Sequence, residues 1–313
     1  MSETRRRVSV VLPCLNEASH IRESARKVAR ALEDAGVVPE LVLVDDGSED
    51  DTWEALLELA RDLEGTRALR LSRRFGKEQA LCAGIENATG DAVCVMDADL
   101  QHPPELLGEM VRAWRDEGFE VVEARKSDRG DESVLSRLEA KLFYSILRRL
   151  SGYDLRGASD YKLMDRKVVD AWMRLPERNL FFRGMSAWLG FRRKEIPFEV
   201  RSRAGGASGW NLRSLVRLAI TGITAFSSLP IHIVTLTGFL FLLFALGLGA
   251  QTLYNFLTHH AQDGFTTVIL LVLITGSATM IGLGVIGLYV SRIYDEVKGR
   301  PRYLIADRTD DGP

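Results

Sequence analysis

Hydrophobic and polar positions follow two different patterns along this chain. Through about residue 125, short runs rich in β-branched residues alternate with longer stretches whose apolar positions recur every three or four residues. Val8–Leu12, Leu41–Val44, Ala68–Leu71, Ala92–Met96 and Glu120–Glu123 read as strands, and Ile21–Ala35, Trp53–Leu63, Lys77–Ala88 and Pro104–Glu117 as the helices between them. This alternation predicts an α/β fold with a mostly parallel sheet covered on both faces. Ligands of such sheets sit beyond the carboxyl ends of the strands, where strand order reverses, so the residues just after each strand are the first candidates for chemistry.

From Leu218 to Ser291 the pattern changes: Asp263 is the single charged side chain in the whole stretch. Ile231–Leu257 and Phe265–Val290 are uncharged, and each exceeds the about 20 residues a helix needs to cross a bilayer. Soluble helices of that length would show a polar face, and these show none. The link at 258–264 has no Lys or Arg. Arg213 and Arg217 precede the first run, and Arg292, Lys298, Arg300 and Arg302 follow the second. The positive-inside bias therefore predicts an integral membrane protein with the soluble part and both termini cytoplasmic. Val8–Leu12 is only strand-length, so no signal peptide is expected. Leu212, Leu215, Val216, Ala219, Ile220, Ile223 and Phe226 recur at helical spacing opposite Arg213 and Arg217, the pattern of an interfacial amphipathic helix. Between Arg192 and Arg217 basic residues outnumber acidic ones seven to two, which suits anionic headgroups or phosphates. The expected organisation is a cytoplasmic domain at 1–211, an interfacial helix at 212–228, a transmembrane hairpin at 229–291 and a basic cytoplasmic tail at 292–313.

Composition adds exclusions. The 313 residues, 46% hydrophobic with net charge −2, lack the bias of a disordered chain or the basic excess of a nucleic-acid binder. Cys14, Cys82 and Cys94 show no C-x-x-C spacing, which fits a reducing compartment and suggests no zinc site. Gly282-Leu283-Gly284-Val285-Ile286-Gly287 matches the dinucleotide-binding spelling but follows no strand and lies inside the second apolar run. Close helix packing through Ala278 and Gly282 accounts for it better. His259-His260 reads as part of a solvated loop, and His232 as an interfacial residue.

Two strand ends are acidic: Asp45-Asp46-Gly47-Ser48 after the second strand and Asp97-Ala98-Asp99-Leu100-Gln101 after the fourth. In extended backbone, residues i and i+2 point the same way, so Asp97 and Asp99 are expected to face one ligand. Carboxylates with an amide oxygen are hard donors suited to Mg²⁺ or Mn²⁺ shared with substrate phosphates.

Five segments carry a resemblance: Val11-Leu12-Pro13-Cys14-Leu15-Asn16-Glu17, Val44-Asp45-Asp46-Gly47-Ser48, Phe75-Gly76-Lys77-Glu78-Gln79-Ala80-Leu81, Met96-Asp97-Ala98-Asp99-Leu100-Gln101-His102-Pro103-Pro104-Glu105 and Ser159-Asp160-Tyr161-Lys162-Leu163-Met164-Asp165-Arg166. Together they make the chain similar to the family 2 glycosyltransferases of the Rossmann-like GT-A fold. The similar branch makes polyprenyl- or dolichyl-phosphate sugars, and its bactoprenyl-phosphate glucosyltransferases share the two-span tail. Arg74 stands where relatives often have Asn, and Gly209-Trp210 where many have Lys-Tyr, so sugar and acceptor preference stay open.

The resemblance implies a nucleotide-sugar pocket of Pro13, Asn16, Glu17, Asp45, Asp46 and Lys77, with Asp97 and Ala98 nearest the sugar. It implies metal ligands at Asp99 and Gln101, and an acceptor-side carboxylate, Asp160, that either positions donor or metal or takes a proton. Arg125, Arg129, Arg137, Arg201, Arg203 and Ser208 are the candidates for the lipid phosphate, since guanidinium groups suit bidentate phosphate binding. The expected reaction is inverting transfer of one sugar, best matched by glucose from UDP-glucose, to an undecaprenyl-type polyprenyl phosphate in the bilayer. Mannose transfer from GDP-mannose and a catalytically silent membrane scaffold are the alternatives. A processive polysaccharide synthase is disfavoured because its Q-x-x-R-W string is absent. The oligomeric state is open, a homo-oligomer included.

Overall fold

The computed structural model describes residues 5–99, 102–126, 158–175, 182, 188–198, 229–258 and 265–309. The soluble part begins with strand β1 (Arg7–Cys14), helix α1 (Ile21–Asp34), β2 (Val38–Asp45), α2 (Thr52–Asp62), β3 (Thr66–Leu71), α3 (Lys77–Asn87), β4 (Ala92–Val95) and α4 (Leu106–Arg115). It continues with β5 (Val121–Lys126), β6 (Ala158–Asp165), α5 (Arg166–Met173) and β7 (Arg193–Phe198). Two long helices follow, α6 (Leu229–Leu257) and α7 (Phe265–Val297), and a last strand, β8 (Ile305–Arg308).

All eight strands form one sheet in the order β7-β5-β6-β4-β1-β2-β3-β8. Strands β4, β1, β2 and β3 run parallel. Strand β6 is antiparallel to both β4 and β5, while β7 is parallel to β5. Chain order reverses between β1 and β4, so the crevice at their carboxyl ends is where a ligand is expected.

Burial explains why the strands read as continuous apolar runs. Val8, Val10 and Leu12 of β1 face a core shared with α1 and α4, and Val11 faces a second core with α3. Both faces of the strand are thus covered, as in parallel sheets generally. Ile21, Ala25, Val28 and Leu32 give α1 its buried stripe. Gly84 lets α3 lie directly on β1, because a Cβ there would come within 2.1 Å of Val11 Cγ1.

Strand β8 lies inside the stretch expected as a basic cytoplasmic tail. Helix α7 continues past residue 291 to Val297, and the chain then rejoins the sheet, pairing antiparallel with β3. The unit that holds the sheet includes Arg300–Pro313, and the two long helices form a separate unit ending at Gly299. The physical reason is the otherwise open edge of β3, whose backbone groups need partners. Ser72 N–H donates to Leu304 O (2.9 Å), and Thr309 N–H to Ala68 O (3.1 Å). Side chains add a latch: Tyr303 Oη donates to Glu86 Oε2 (2.5 Å), and Arg302 Nη2 donates to Leu175 O (2.6 Å). Unlike the buried apolar run of β4, Ile305-Ala306-Asp307-Arg308 has one large apolar residue and is mostly exposed, so the sequence gives no strand signal there.

Helices α6 and α7 are long and apolar enough to cross a membrane over Ile231–Gln251 and Ile274–Val297. Their hydroxyls are satisfied internally: Thr235, Thr237, Thr275 and Thr279 each donate to the carbonyl four residues earlier. Gly282 provides close packing between them, since a Cβ there would lie 3.0 Å from Val234 Cγ1. The expected interfacial helix at 212–228 and the link at 259–264 lie outside the described residues.

Two outcomes follow. Tyr303→Phe keeps the ring and removes one hydrogen bond, so it should cost about 1 kcal/mol. Deleting residues 302–313 should lower the melting temperature far more, as followed by thermal denaturation of the full-length protein in detergent. Burial pushes the Cys82 thiol up to about 12 and raises Cys14 and Cys94 as well. All three should therefore resist maleimide at pH 7.5 in the folded protein and react together on unfolding, as mass spectrometry would record.

Candidate active site

The site is assembled from the turns after β1, β2 and β4, the start of α3, and β6. After β1, Asn16 takes a left-handed conformation (φ 57°), which lets its backbone and side chain both reach the turn after β2. Its N–H donates to Ser48 Oγ (3.0 Å), its Oδ1 accepts from Glu49 N–H (3.0 Å), and Glu17 N–H donates to Thr52 Oγ1 (2.8 Å). The first two strand-end turns therefore behave as one body.

The two aspartates after β2 have separate tasks. Asp45 is fully buried, and its Oδ1 accepts from Ser48 N–H (2.9 Å). Its Oδ2 accepts no hydrogen bond among the described residues, with Arg70 Nε 3.5 Å away as a charge partner. A buried carboxylate oxygen in that state suits a donor from a ligand, such as a nucleobase N–H or a ribose hydroxyl. Asp46 instead accepts from Phe75 N–H (2.7 Å) and Gly76 N–H (2.9 Å), which fixes the entry to α3. Gly47 (φ 74°) is required here, because a Cβ would lie 2.7 Å from Arg74 N.

The Asp97–Asp99 segment departs from expectation in its backbone. Strand β4 ends at Val95, and Ala98 and Asp99 lie in a turn, so the alternation of an extended strand does not govern the Asp97 and Asp99 carboxylates. The turn is held at both ends. Ser24 Oγ on α1 donates to Ala98 O (2.7 Å), and Asp97 N–H donates to His102 Nδ1 (3.1 Å). His102 is buried, stacked on Tyr161 with ring centroids 5.0 Å apart and edge-on to Phe198 at 5.8 Å. Tyr161 Oη in turn donates to Pro103 O (3.1 Å).

Charge converges on this crevice. Lys77, the first residue of α3, places Nζ 2.5 Å from Asp97 Oδ1 and 2.7 Å from Asp160 Oδ2. Burial pulls the Lys77 ammonium down, but the Asp97 and Asp160 carboxylates outweigh it and hold its pKa above the ordinary lysine value. Glu17 is raised, first by burial and then by the nearby Asp99, with Asp97 and Asp50 adding to it against His20. Both aspartates of the turn therefore act on one neighbourhood even though the backbone is not extended there. A buried pair lies further along β6: Lys162 Nζ is 3.1 Å from Glu123 Oε1 and 5.7 Å from the centroid of the Phe182 ring.

The structure thus brings Pro13, Asn16, Glu17, Asp45, Asp46, Lys77, Asp97, Ala98, Asp99 and Asp160 to one end of the sheet. Arg125 is on β5, paired across the strands with Glu195. Gln101, Arg129, Arg137, Arg201, Arg203 and Ser208 lie outside the described residues. Sequence reasoning gave no task to His102 or Ser24. The Asp-Leu-Gln-His-Pro-Pro-Glu string held the signal for His102, but its partner Tyr161 is distant in the chain.

The model of the family described as glycosyl transferase family 2 matches residues 9–172, from β1 into α5. The chain belongs to glycosyl transferase family 2. Relatives run nearly its full length. An uncharacterized glycosyltransferase of Synechocystis is 37% identical over 96% of this chain and 95% of its own. A bactoprenol glucosyl transferase of Shigella phage SfX is 34% identical over 96% of this chain and 99% of its own. Among solved structures, glucosyl-3-phosphoglycerate synthase from Mycobacterium tuberculosis, crystallised with Mn²⁺, UDP and glucosyl-3-phosphoglycerate, superimposes with a TM-score of 0.50. That match has 24% identity and covers 70% of this chain and 79% of the synthase, so the transferase has the GT-A-like fold that its motifs suggest.

The hydrogen bond to Asp97 N–H gives a direct test in this glycosyltransferase. His102→Phe keeps an aromatic ring on Tyr161 and leaves the Asp97 amide without its acceptor, a loss of about 1–3 kcal/mol. The expected result is a lower melting temperature with slower sugar transfer, and His102→Asn, which retains an acceptor, should recover part of both.

Proposed function

We propose that this glycosyltransferase moves one glucose from UDP-glucose to a polyprenyl phosphate at the cytoplasmic face of a membrane. The observation that carries the reading is the full-length alignment with bactoprenol glucosyl transferases, which takes in the two long apolar helices as well as the catalytic unit. A soluble acceptor would give no reason for such helices.

In this reading Pro13, Asn16, Glu17, Asp45 and Asp46 form the nucleotide pocket, with the buried Asp45 Oδ2 as the acceptor for a base or ribose donor. Asp97 and Ala98 lie nearest the sugar. A divalent cation, Mg²⁺ or Mn²⁺, would be held by Asp99 and Gln101 together with diphosphate oxygens. The donor chemistry fits a hard cation, and the carboxylates acting on Glu17 supply the negative charge it would neutralise. The cation supplies charge stabilisation for the departing nucleoside diphosphate.

The nucleophile is an oxygen of the lipid phosphate, whose second pKa is near ~6, so it arrives largely ionised. It attacks the anomeric carbon as the bond to the diphosphate breaks, and the configuration inverts. Arg125, Arg129, Arg137, Arg201, Arg203 and Ser208 are proposed to receive the lipid phosphate. Support for the topology comes from β8: the chain leaves the sheet unit before α6 and returns to it after α7, so both ends of the hairpin belong on one side of the bilayer. The Lys and Arg distribution favours the cytoplasmic side.

The test is an assay of the purified full-length protein with undecaprenyl phosphate and a panel of nucleotide-sugars. UDP-glucose should give a single lipid-linked glucose, chelation should stop the reaction, and Asp99→Ala should abolish it. Preference for GDP-mannose, a polymeric product, or no transfer from any donor would overturn the reading. For the topology, His260→Cys should be labelled by a membrane-impermeant thiol reagent added outside intact cells. The buried native cysteines should stay silent.

A further inference from the structure

The first turn of α3 touches both sides of the site. Its entry is fixed by Asp46, which accepts from Phe75 and Gly76 N–H. Glu78 Oε2 accepts from Phe182 N–H (3.1 Å), and Lys77 reaches Asp97 after β4 and Asp160 on β6. We propose that Lys77 is a positioning residue that ties the donor-side Asp97 to the acceptor-side Asp160, so that Asp160 works as a fixed anion and not as the proton acceptor. The inference rests on the donor and acceptor sides assigned under the proposed function.

Three observations support it. Asp160 is buried, 5% exposed, and a carboxylate of that kind needs a cation or hydrogen-bond donors to stay ionised. The Lys77 ammonium meets both carboxylates at hydrogen-bond distance, and it is carried on the first residue of α3, whose entry is fixed by the two amides on Asp46. The chemistry also needs no base. A lipid phosphate dianion forms the new bond to the anomeric carbon, the electron pair of the broken bond leaves with the nucleoside diphosphate, and no proton moves. A carboxylate already paired with an ammonium is a poor proton acceptor. It is well suited to holding its surroundings in register, where a misplacement of 1 Å costs about 10²-fold in rate.

The test uses the full-length protein in detergent with Lys77→Met, Lys77→Arg, Asp160→Asn and the double variant Lys77→Met/Asp160→Asn. Lys77→Met should lower kcat about 10²-fold while KM for UDP-glucose stays within about threefold. Lys77→Arg should recover part of kcat. The double variant should lose no more than the worse single one, because the two residues act as a unit. A rise in KM with kcat unchanged would make Lys77 a donor-binding residue and overturn the proposal, as would losses that multiply in the double variant.

Manganese, titrated into the protein at saturating UDP and followed by electron paramagnetic resonance, gives a readout independent of any acceptor. Lys77→Met should bind Mn²⁺ about tenfold more tightly, since a unit positive charge next to the carboxylates is gone, and Asp160→Asn should bind it more weakly. Equal affinities in all variants would overturn the link. Failure of the wild-type protein to glucosylate any lipid phosphate would sink the proposed function while this titration still judges Lys77. If Lys77→Met shows no melting transition, Lys77→Arg and Asp160→Asn carry the same comparisons.

Discussion

Packing several carboxylates into the crevice at the ends of β1, β2, β4 and β6 is the constraint around which this structure is arranged. Like charges brought into a low-dielectric site repel, and each must be matched by a donor or a cation. The fold meets this requirement in separate ways at each position. Asp46 accepts from the Phe75 and Gly76 amides at the start of α3, Asp45 takes the Ser48 amide on Oδ1 and the Arg70 guanidinium as a charge partner near Oδ2, and Asp97 and Asp160 share one ammonium between them. The Glu17 pKa is raised, first by burial and then by the neighbouring Asp99.

The scaffolding for this cluster reaches well beyond the crevice. Ser24 on α1 holds Ala98, and His102 holds the Asp97 amide while resting on Tyr161 of the neighbouring antiparallel strand. Tyr161 and Asp160 are adjacent on β6 and point to opposite faces, so one strand supplies both the support for the turn and the carboxylate facing it. A displacement of β6 would disturb both. Because α3 is seated on β1 through Gly84 and carries Lys77 at its tip, the packing of the core and the placement of charge are parts of one problem.

The far edge of the sheet solves a different difficulty. β3 would be an open edge without β8, and β8 comes from beyond both long helices. The same four residues that satisfy the edge also return the chain to the unit that holds the sheet after α7. Residues within the expected basic tail pair with the sheet because backbone groups at a sheet edge must be paired, whatever side chains the partner carries.

How much the sequence decided depended on the range of the interaction. Period and burial are local, so β1 to β5 and α1 to α4 were legible to within a few residues, as was the absence of charge that marks α6 and α7. The acidic strand ends were legible as well, because the strands that carry them were. β6, α5, β7 and β8 were not: the eight residues of β6 mix Ser159, Asp160, Lys162 and Asp165 with apolar positions, and β7 and β8 are edge strands that take their stability from partners far away in the chain. Tertiary structure alone decided that Lys77 would stand between Asp97 and Asp160, that His102 would support the turn, and that Asp46 would face backbone amides. Each of these is a meeting of groups brought together by packing, and the cost of leaving a buried charge or amide unpaired selects the partner only once the chain has folded around it.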